Sequence, residues 1–351
     1  MKEASSERVF RRLQVVGKAT YSISLPKGWV LKRGLKPGDF IEIAEGLDGS
    51  LRLSTPEARF RRSACLINAD LCRSVHQLQN IIQAGYRVGY DLIRVSYSRV
   101  SNQQVSKELG SLVERLPGFE LTRGEKSELI LRNVLDYSRF PVDDLIKRSY
   151  ILTSEIFSDI SRFLETGRYD LIPYLEILRR RVHELLQLHT RLLTAYFKRR
   201  ELGRFLKLRS PSHIYSSIIM VNLVDDLAEI LLRLGILVSK LRRKIWSSST
   251  TYRGLRIMIE ESSRLFDEAV NAFLSLNFEK ATTLLTMPKD HLTSLLKEEL
   301  KEAPPKDRQL NAFIAQAELI SLSLCSIFQK IAQLALDLFM ESESPICQIE
   351  D

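Results

Sequence analysis

The sequence predicts a multidomain, mainly α protein, because the spacing of its apolar residues changes twice along the chain. Residues 8 to 55 alternate apolar and polar side chains between turn signals, which is typical of short strands. Residues 63 to 133 combine strand-like and helix-like patterns, and strand signals disappear after Phe140–Pro141. The 351 residues, 44% of them apolar, are sufficient for several hydrophobic cores.

Turn residues divide the first part of the chain into short strands. Gly17 separates the first pair, Pro26 ends the second strand by removing a backbone donor, and Asp48–Gly49 forms a hairpin turn. Between Pro26 and Gly34 we expect one or two helical turns that end at a glycine in the left-handed conformation. The predicted strands cover residues 8–16, 20–25, 39–44 and 50–54.

The rest of the chain predicts a small α+β domain followed by helices. The α+β order is strand, helix, strand, helix, strand, strand, with helices at 70–84 and 102–116. The third and sixth of the later helices carry apolar seams at steps of three and four, so we expect a duplicated three-helix bundle. The six later helices are predicted at 143–166, 171–200, 212–244, 254–276, 278–301 and 307–340.

Basic side chains concentrate at the start of the chain. The net charge is +9, and the first 62 residues hold thirteen basic against seven acidic side chains, so the remaining body is nearly neutral. A strand-rich unit of about fifty residues is too small for a stable core, and a second copy would place two basic sets side by side. Paired basic sets suit duplex DNA, and a solvated basic face is the alternative. The candidate DNA-contacting residues are Arg11, Arg12, Lys18, Lys27, Lys32 and Arg33.

Motifs of catalysis are absent from the sequence. It contains no nucleophile elbow, glycine-rich phosphate loop or metalloprotease helix, and its five histidines share no short zinc-ligand spacing. His189 falls on the inner stripe of its helix, which favours a hydrogen-bonded core histidine over a ligand. We therefore predict a protein that is not an enzyme and holds no cofactor.

Cysteine usage and hydropathy indicate the compartment. The four cysteines form no CxxC pair, as is typical of a reducing compartment, and the first residues lack the apolar segment of a signal peptide. The apolar stretch 230–238 is interrupted by Arg233. We therefore expect a cytoplasmic protein without a membrane span.

Two segments near the start of the chain carry a family resemblance. Residues Gly17–Val30 contain Ser-Leu-Pro-Lys-Gly-Trp-Val, and Gly34–Ile43 begins with Gly-Leu-Lys-Pro-Gly-Asp. Together they resemble the AbrB/SpoVT-type swapped-hairpin module, with Thr20 or Ser22 at the first serine of the pattern. The resemblance implies a dimeric DNA-binding module of the kind found in transcription factors and antitoxins.

The whole chain resembles archaeal proteins that join such a module to a PhoU-type body and are described as phosphate-uptake regulators. The segment Ala84–Ile93 is similar to a stretch in their α+β part. The resemblance implies a homodimer that binds double-stranded DNA and regulates phosphate uptake or homeostasis. The alternative is an adaptor that binds a phosphate transporter or sensor kinase and uses the first module for dimerisation. The implied domains are a swapped-hairpin β module (1–58), an α+β domain (59–140) and two PhoU-type three-helix bundles (141–245 and 246–345).

PhoU-type bundles hold metal clusters on acidic residues spaced by four, and the resemblance places Asp225 and Glu229 at such a position. The neighbouring helices lack the acidic residues that such a cluster needs. The segment Arg179–Glu184 has cations where acids are expected, and Ser321–Ser326 offers few hard ligands. Glu229 also has Arg233 four residues on, which favours an ion pair. We expect a degenerate or absent metal site, and a metal-dependent enzyme is the weakest alternative.

Overall fold

The protein is mainly α-helical. The computed structural model describes residues 9–17, 19–46, 49–55, 63–98, 102–124, 127–167, 171–302 and 304–341. Helix accounts for 67% of the structure and the sheets are few and small, which confirms the predicted class. The chain divides into two compact units, residues 1–61 and residues 62–351, which we call the first unit and the second unit.

The first unit contains two antiparallel hairpins and a short helix. Its elements are β1 Gln14–Val16, β2 Thr20–Ser22, α1 Lys27–Lys32, β3 Glu42–Glu45 and β4 Leu51–Ser54. β1 pairs with β2 and β3 pairs with β4, each in a separate two-stranded sheet. Gly34, which follows α1, has a φ of +67°, and this confirms the predicted glycine stop.

The strands of the first unit are shorter than predicted. The described residues before Gln14 form no strand, although we expected one from residue 8. β3 begins after a turn in which Oδ2 of Asp39 accepts a hydrogen bond from the backbone N–H of Lys36 at 2.7 Å. Because that turn includes Asp39, the predicted strand start at residue 39 is wrong.

The second unit begins with an α+β part. Its elements are β5 Ala64–Asn68, α2 Val75–Arg87, β6 Leu92–Ser96, α3 Asn102–Val113, β7 Phe119–Arg123 and β8 Glu128–Asn133. The sheet order is β5-β6-β8-β7, with β5 parallel to β6 and the other neighbours antiparallel. Leu78, Ile82 and Tyr86 of α2 join the strand residues in one hydrophobic core. The predicted order of elements is confirmed.

Helix α2 begins later than predicted. The side chain of Asn68 accepts a hydrogen bond from the backbone N–H of Asp70 and starts a separate 3₁₀ turn, Ala69–Leu71. The hydroxyl of Ser74 then accepts a hydrogen bond from the backbone N–H of Gln77 at 3.1 Å and caps α2. The start at residue 70 was therefore wrong, because two caps divide the segment.

Long helices form the rest of the second unit. They are α4 Val142–Thr166, α5 Leu171–Lys198, α6 Pro211–Ser247, α7 Ser249–Ser275, α8 Phe278–Thr286, α9 His291–Glu302 and α10 Arg308–Phe339. α4, α5 and α6 pack against one another, and α7 to α10 form a second group. α10 also packs against α6, and α4 against α7, so both groups share one hydrophobic core.

The single helix predicted over 278–301 is two helices. α8 ends at Thr286 and α9 begins at His291. Pro288 lies between them, lacks a backbone N–H and disfavours the helical conformation of the residue before it. Met287 accordingly has an extended backbone, with φ −64° and ψ 137°. Within the described residues, the second group therefore has four helices instead of the predicted three.

The predicted seams of α6 and α10 face the core. Their buried members are Met220, Val224, Leu227, Leu231, Leu234, Val238, Leu310, Phe313, Ala317, Leu324, Ile327, Ile331, Leu334 and Leu338. Among the described helices, only α10 is long and apolar enough to cross a membrane, with a mean hydropathy of 1.6 in its most apolar window. The sequence had singled out residues 230–238 of α6 instead. Half of this window of α10 is buried inside the structure.

Candidate nucleic-acid interface

Two segments of the first unit carry the candidate basic residues. They are Arg11 and Arg12, just before β1, and Lys27, Lys32 and Arg33, on α1 and at its C-cap. Lys18, the sixth candidate, lies outside the described residues.

Local sequence explains the helix that carries three of these cations. The carbonyl of Pro26 accepts the backbone N–H groups of Trp29 and Val30 at 3.0 and 3.1 Å, which closes the first turn. The backbone N–H of Leu35 then donates to the carbonyl of Val30 at 3.1 Å and, with Gly34, closes the end of the helix. Cations at this carboxyl end are favoured by the helix dipole.

All five described candidates are exposed to solvent. In the described part of the chain none of them forms an ion pair, and the one side-chain hydrogen bond is local: Nη1 of Arg11 donates to the carbonyl of Phe10 at 3.1 Å. A nearby carboxylate, Asp39, accepts the backbone N–H of Lys36 instead of pairing with a candidate. The cations are therefore accessible to an anionic partner.

The described residues of a single first unit form no hydrophobic core. None of its described residues is buried. Val15 and Tyr21 are cross-strand partners, so their side chains share one face of the hairpin, and they are 63% and 68% exposed. The large apolar side chains left exposed in the unit are Val9, Phe10, Leu13, Val15, Val16, Tyr21, Ile23, Leu31, Phe40, Ile43 and Leu51. Exposed apolar side chains in this number, with Val15 and Tyr21 on one face of a hairpin, favour an interaction site on this unit.

Asp225 and Glu229, the candidate metal ligands, are both paired with side chains of α5. Nε of Arg179 lies 2.7 Å from Oε2 of Glu229, and Nδ1 of His183 lies 3.2 Å from Oδ2 of Asp225. Arg233 adds the expected ion pair, with its Nε 3.1 Å from Oε1 of Glu229. The two α5 side chains are four residues apart, as are the two carboxylates of α6, so each pair lies on one face of its helix and the two faces meet.

The residues around this carboxylate pair do not fit a metal ion. Arg179 and Arg233 already balance the charge of Glu229. Beside Asp225 the structure places His183, whose imidazole is the single further side chain of a metal-binding type in this set. Within the residues that the structure describes, no three histidine, cysteine or acidic side chains are grouped as a metal would need. The arrangement holds α5 and α6 together instead.

His189 is buried, as its place on the inner stripe predicts. Burial, with a smaller contribution from the nearby His213, lowers the pKa of its imidazole to about 3, so the ring is neutral at neutral pH. Its Nε2 has no hydrogen-bond partner among the described residues. The expectation of a hydrogen-bonded histidine therefore fails at this nitrogen.

The sequence analysis missed a buried cation that joins the helices to the α+β part. Arg191 of α5 is fully buried, and its Nη1 donates to the carbonyls of Tyr86 and Tyr90, both at 2.9 Å. Its guanidinium lies 4.9 Å from the ring centroid of Tyr86 and 4.7 Å from that of Phe119. An arginine within the apolar run Leu188–Phe197 was the available signal.

Two more cations, one at the end of α5 and one directly after it, reinforce this junction. Nζ of Lys198 donates to the carbonyl of Val88 at 2.6 Å, and Arg199 donates to the hydroxyl of Tyr137 at 2.8 Å. Cations at the carboxyl end of a helix are favoured by its dipole, which is one reason for these residue types here. They also bind groups of the α+β part, so their contacts serve the packing of the second unit.

Comparison of the chain with family models, with curated proteins and with solved structures finds no match in any of the three.

Proposed function

We propose that this protein is a DNA-binding transcriptional regulator that binds duplex DNA as a homodimer through its first unit. The observation that carries the proposal is the exposed basic set, Arg11, Arg12, Lys27, Lys32 and Arg33, with no ion pair to a described residue. Exposed cations of this kind bind phosphates and release condensed counterions. Arginine forks additionally fit guanine edges in the major groove.

Dimerisation follows from the missing core of the first unit. The face that contains Val15 and Tyr21 gains stability only when another apolar surface covers it. A second copy supplies an identical face across a two-fold axis and brings two basic sets together. The swapped-hairpin arrangement, which the resemblance of Gly17–Val30 and Gly34–Ile43 implies, is the form of pairing that we propose.

The link to phosphate uptake rests on the resemblance to PhoU-type proteins. The two groups of helices in the second unit suit that architecture, although α8 and α9 replace one predicted helix. In this proposal the helices sense or relay a signal and the first unit binds DNA. In this proposal Asp225 and Glu229 take no part in metal binding, because two arginines pair with Glu229 and His183 lies against Asp225.

The test is a salt titration of DNA binding by the full-length protein. Fluorescence anisotropy with a duplex from the region upstream of the gene measures affinity at several salt concentrations. Replacing Arg11 and Arg12 with Ala should weaken binding and flatten the salt slope by about 0.9 for each phosphate that the variant no longer neutralises. The matched control is Arg180→Ala with Arg181→Ala, two adjacent exposed arginines of α5.

The control variant should bind DNA like the wild type, since it removes the same charge from the second unit. An unchanged slope in the Arg11/Arg12 variant would remove these side chains from the interface. No duplex binding by the wild-type protein would refute the proposal and favour the adaptor, in which the first unit serves for dimerisation alone.

A further inference from the structure

Three helix ends in the second unit surround a cavity that the proposed DNA binding does not use. The carboxyl end of α6, the start of α7 and the start of α10 line an open cavity with a volume of about 490 Å³. This volume is within the usual range of small-molecule sites. The lining residues are Arg243, Lys244, Ser247, Ser248, Ser249, Thr250, Pro304, Pro305, Lys306, Asp307 and Leu310.

The charge of the lining is positive. Nζ of Lys244 lies 2.6 Å from Oδ2 of Asp307, so this pair is internally balanced and ties α6 to the start of α10. Arg243 and Lys306 are exposed and form no ion pair with any described residue. Two uncompensated cations therefore face one cavity, where their attraction for an anion adds.

Hydroxyl and amide donors accompany the cations. Ser247, Ser248, Ser249 and Thr250 lie consecutively along the wall of the cavity. The backbone N–H of Ser249, the first residue of α7, donates to no described acceptor, whereas Oγ of Ser248 accepts the N–H of Thr251 at 3.4 Å. An open N–H at the start of a 27-residue helix adds a donor and a partial positive charge.

The carboxyl end of α6 carries a partial negative charge, but it does not cancel the positive potential of the cavity. The carbonyl of Arg243 near the end of α6 already accepts the hydroxyl of Ser247 at 2.8 Å. The full charges on Arg243 and Lys306 outweigh the half charge at a helix end. Leu310, which is 3% exposed, supplies an apolar floor.

We propose that this cavity binds a small phosphorylated molecule. Phosphate oxygens accept hydrogen bonds from guanidinium, ammonium, hydroxyl and helix N-terminal N–H groups, and the cavity offers all four kinds of donor. Its volume leaves room for an organic group beside the phosphate, next to Pro304, Pro305 and Leu310. The inference concerns the second unit alone and does not depend on DNA binding by the first.

Isothermal titration calorimetry of the full-length protein at low salt tests the proposal. The probes are inorganic phosphate, pyrophosphate and ATP, titrated separately. We expect saturable binding of one equivalent per chain, with ATP or pyrophosphate tighter than inorganic phosphate because more donors are engaged. Replacing Arg243 and Lys306 together with Ala should weaken binding at least about tenfold, because two charged hydrogen-bond donors are removed.

A second variant removes the two donors of one residue without disturbing the helix. Proline is tolerated at the first helical position, so Ser249→Pro should keep the melting temperature while it removes the N–H and the hydroxyl. We expect weaker binding of the same probe. The Ser248 backbone, with φ −114° and ψ 99°, is compatible with a following proline.

The charge-matched control is Arg180→Ala with Lys280→Ala, which removes two exposed cations elsewhere on the second unit. It should bind the probes like the wild type. Wild-type affinity in either cavity variant, or no saturable binding of any probe to the wild-type protein, would overturn the proposal. Both results are independent of the duplex titration.

Discussion

Buried titratable side chains determine how the second unit responds to acid. Asp143 is half-buried, and although burial raises the pKa of its carboxyl, the hydrogen bond and charge of His213 and the charge of Arg209 lower it on balance. Oδ1 of Asp143 lies 3.0 Å from Nε2 of the buried His213. Because the carboxyl pKa of Asp143 is lower in the folded chain than in the unfolded chain, the ionised carboxylate stabilises the fold at pH values above the unfolded pKa. This stabilisation is lost as the pH falls below about 4.

His189 affects the stability of the fold at less acidic pH values than Asp143 does. Its folded pKa is about 3, whereas an unfolded histidine titrates near 6.5. Between these values the unfolded chain binds one more proton than the folded chain, so the free energy of unfolding decreases as the pH falls. The decrease reaches about 1.4 kcal/mol per pH unit.

Replacing His189 with Leu should therefore flatten the pH dependence between about pH 6 and pH 4 by nearly one proton. Urea unfolding at several pH values measures this slope. His76→Leu, at an exposed position of α2, is the control and should leave the slope unchanged. If both variants follow the wild-type slope, His189 is not kept neutral by burial.

Single residues also mark the limit of prediction from sequence. The burial of His189 followed from its helical stripe, since that periodicity is local. The role of Arg191 could not be predicted in this way. Its acceptors, the carbonyls of Tyr86 at the end of α2 and of Tyr90 just after that helix, lie about one hundred residues earlier, and only the tertiary fold brings them to Arg191.

At the scale of elements, boundaries followed caps more closely than periodicity. Ser74 and Gln77 form a Ser-x-x-Gln capping signal, which places the start of α2 after Ser74 and not at residue 70 as apolar spacing predicted. The amide oxygen of Gln77 accepts the backbone N–H of Arg73 at 2.7 Å, which supplements the cap from Ser74. Pro288 likewise outweighed the helical period on both sides of it.

Ser74→Ala should destabilise the protein by about 1 kcal/mol, because the N–H of Gln77 loses its acceptor at the helix start. Chemical denaturation of the full chain measures the change. Ser111→Ala is the matched control: its exposed hydroxyl donates to the carbonyl of Glu108 within the same helix, so its removal should cost far less. Equal effects of the two substitutions would contradict the capping role.

At the scale of the whole molecule, the two units differ in how they are stabilised. The second unit has a continuous core from α4 to α10; the sequence predicted the buried seams of α6 and α10 within two three-helix bundles, and it did not predict that both groups share one core. The first unit has exposed apolar strands and exposed cations. Composition and turn signals predicted those strands, whereas the pairing with a second copy that we propose to cover them is not encoded in local patterns.

The claim that two first units act together on DNA predicts a defined stoichiometry and a sensitive position. Val15 is 63% exposed on the apolar face, and Asp at this position would place a charge in the proposed interface. Leu66, 69% exposed on β5 of the second unit, is the matched position for a control Asp substitution.

Mass photometry of full-length protein bound to duplex DNA measures the number of chains in the complex directly. Wild type and Leu66→Asp should give two chains on each duplex, and Val15→Asp should give little or no complex at the same concentration. One chain on each duplex, or an undiminished two-chain complex with Val15→Asp, would contradict the account.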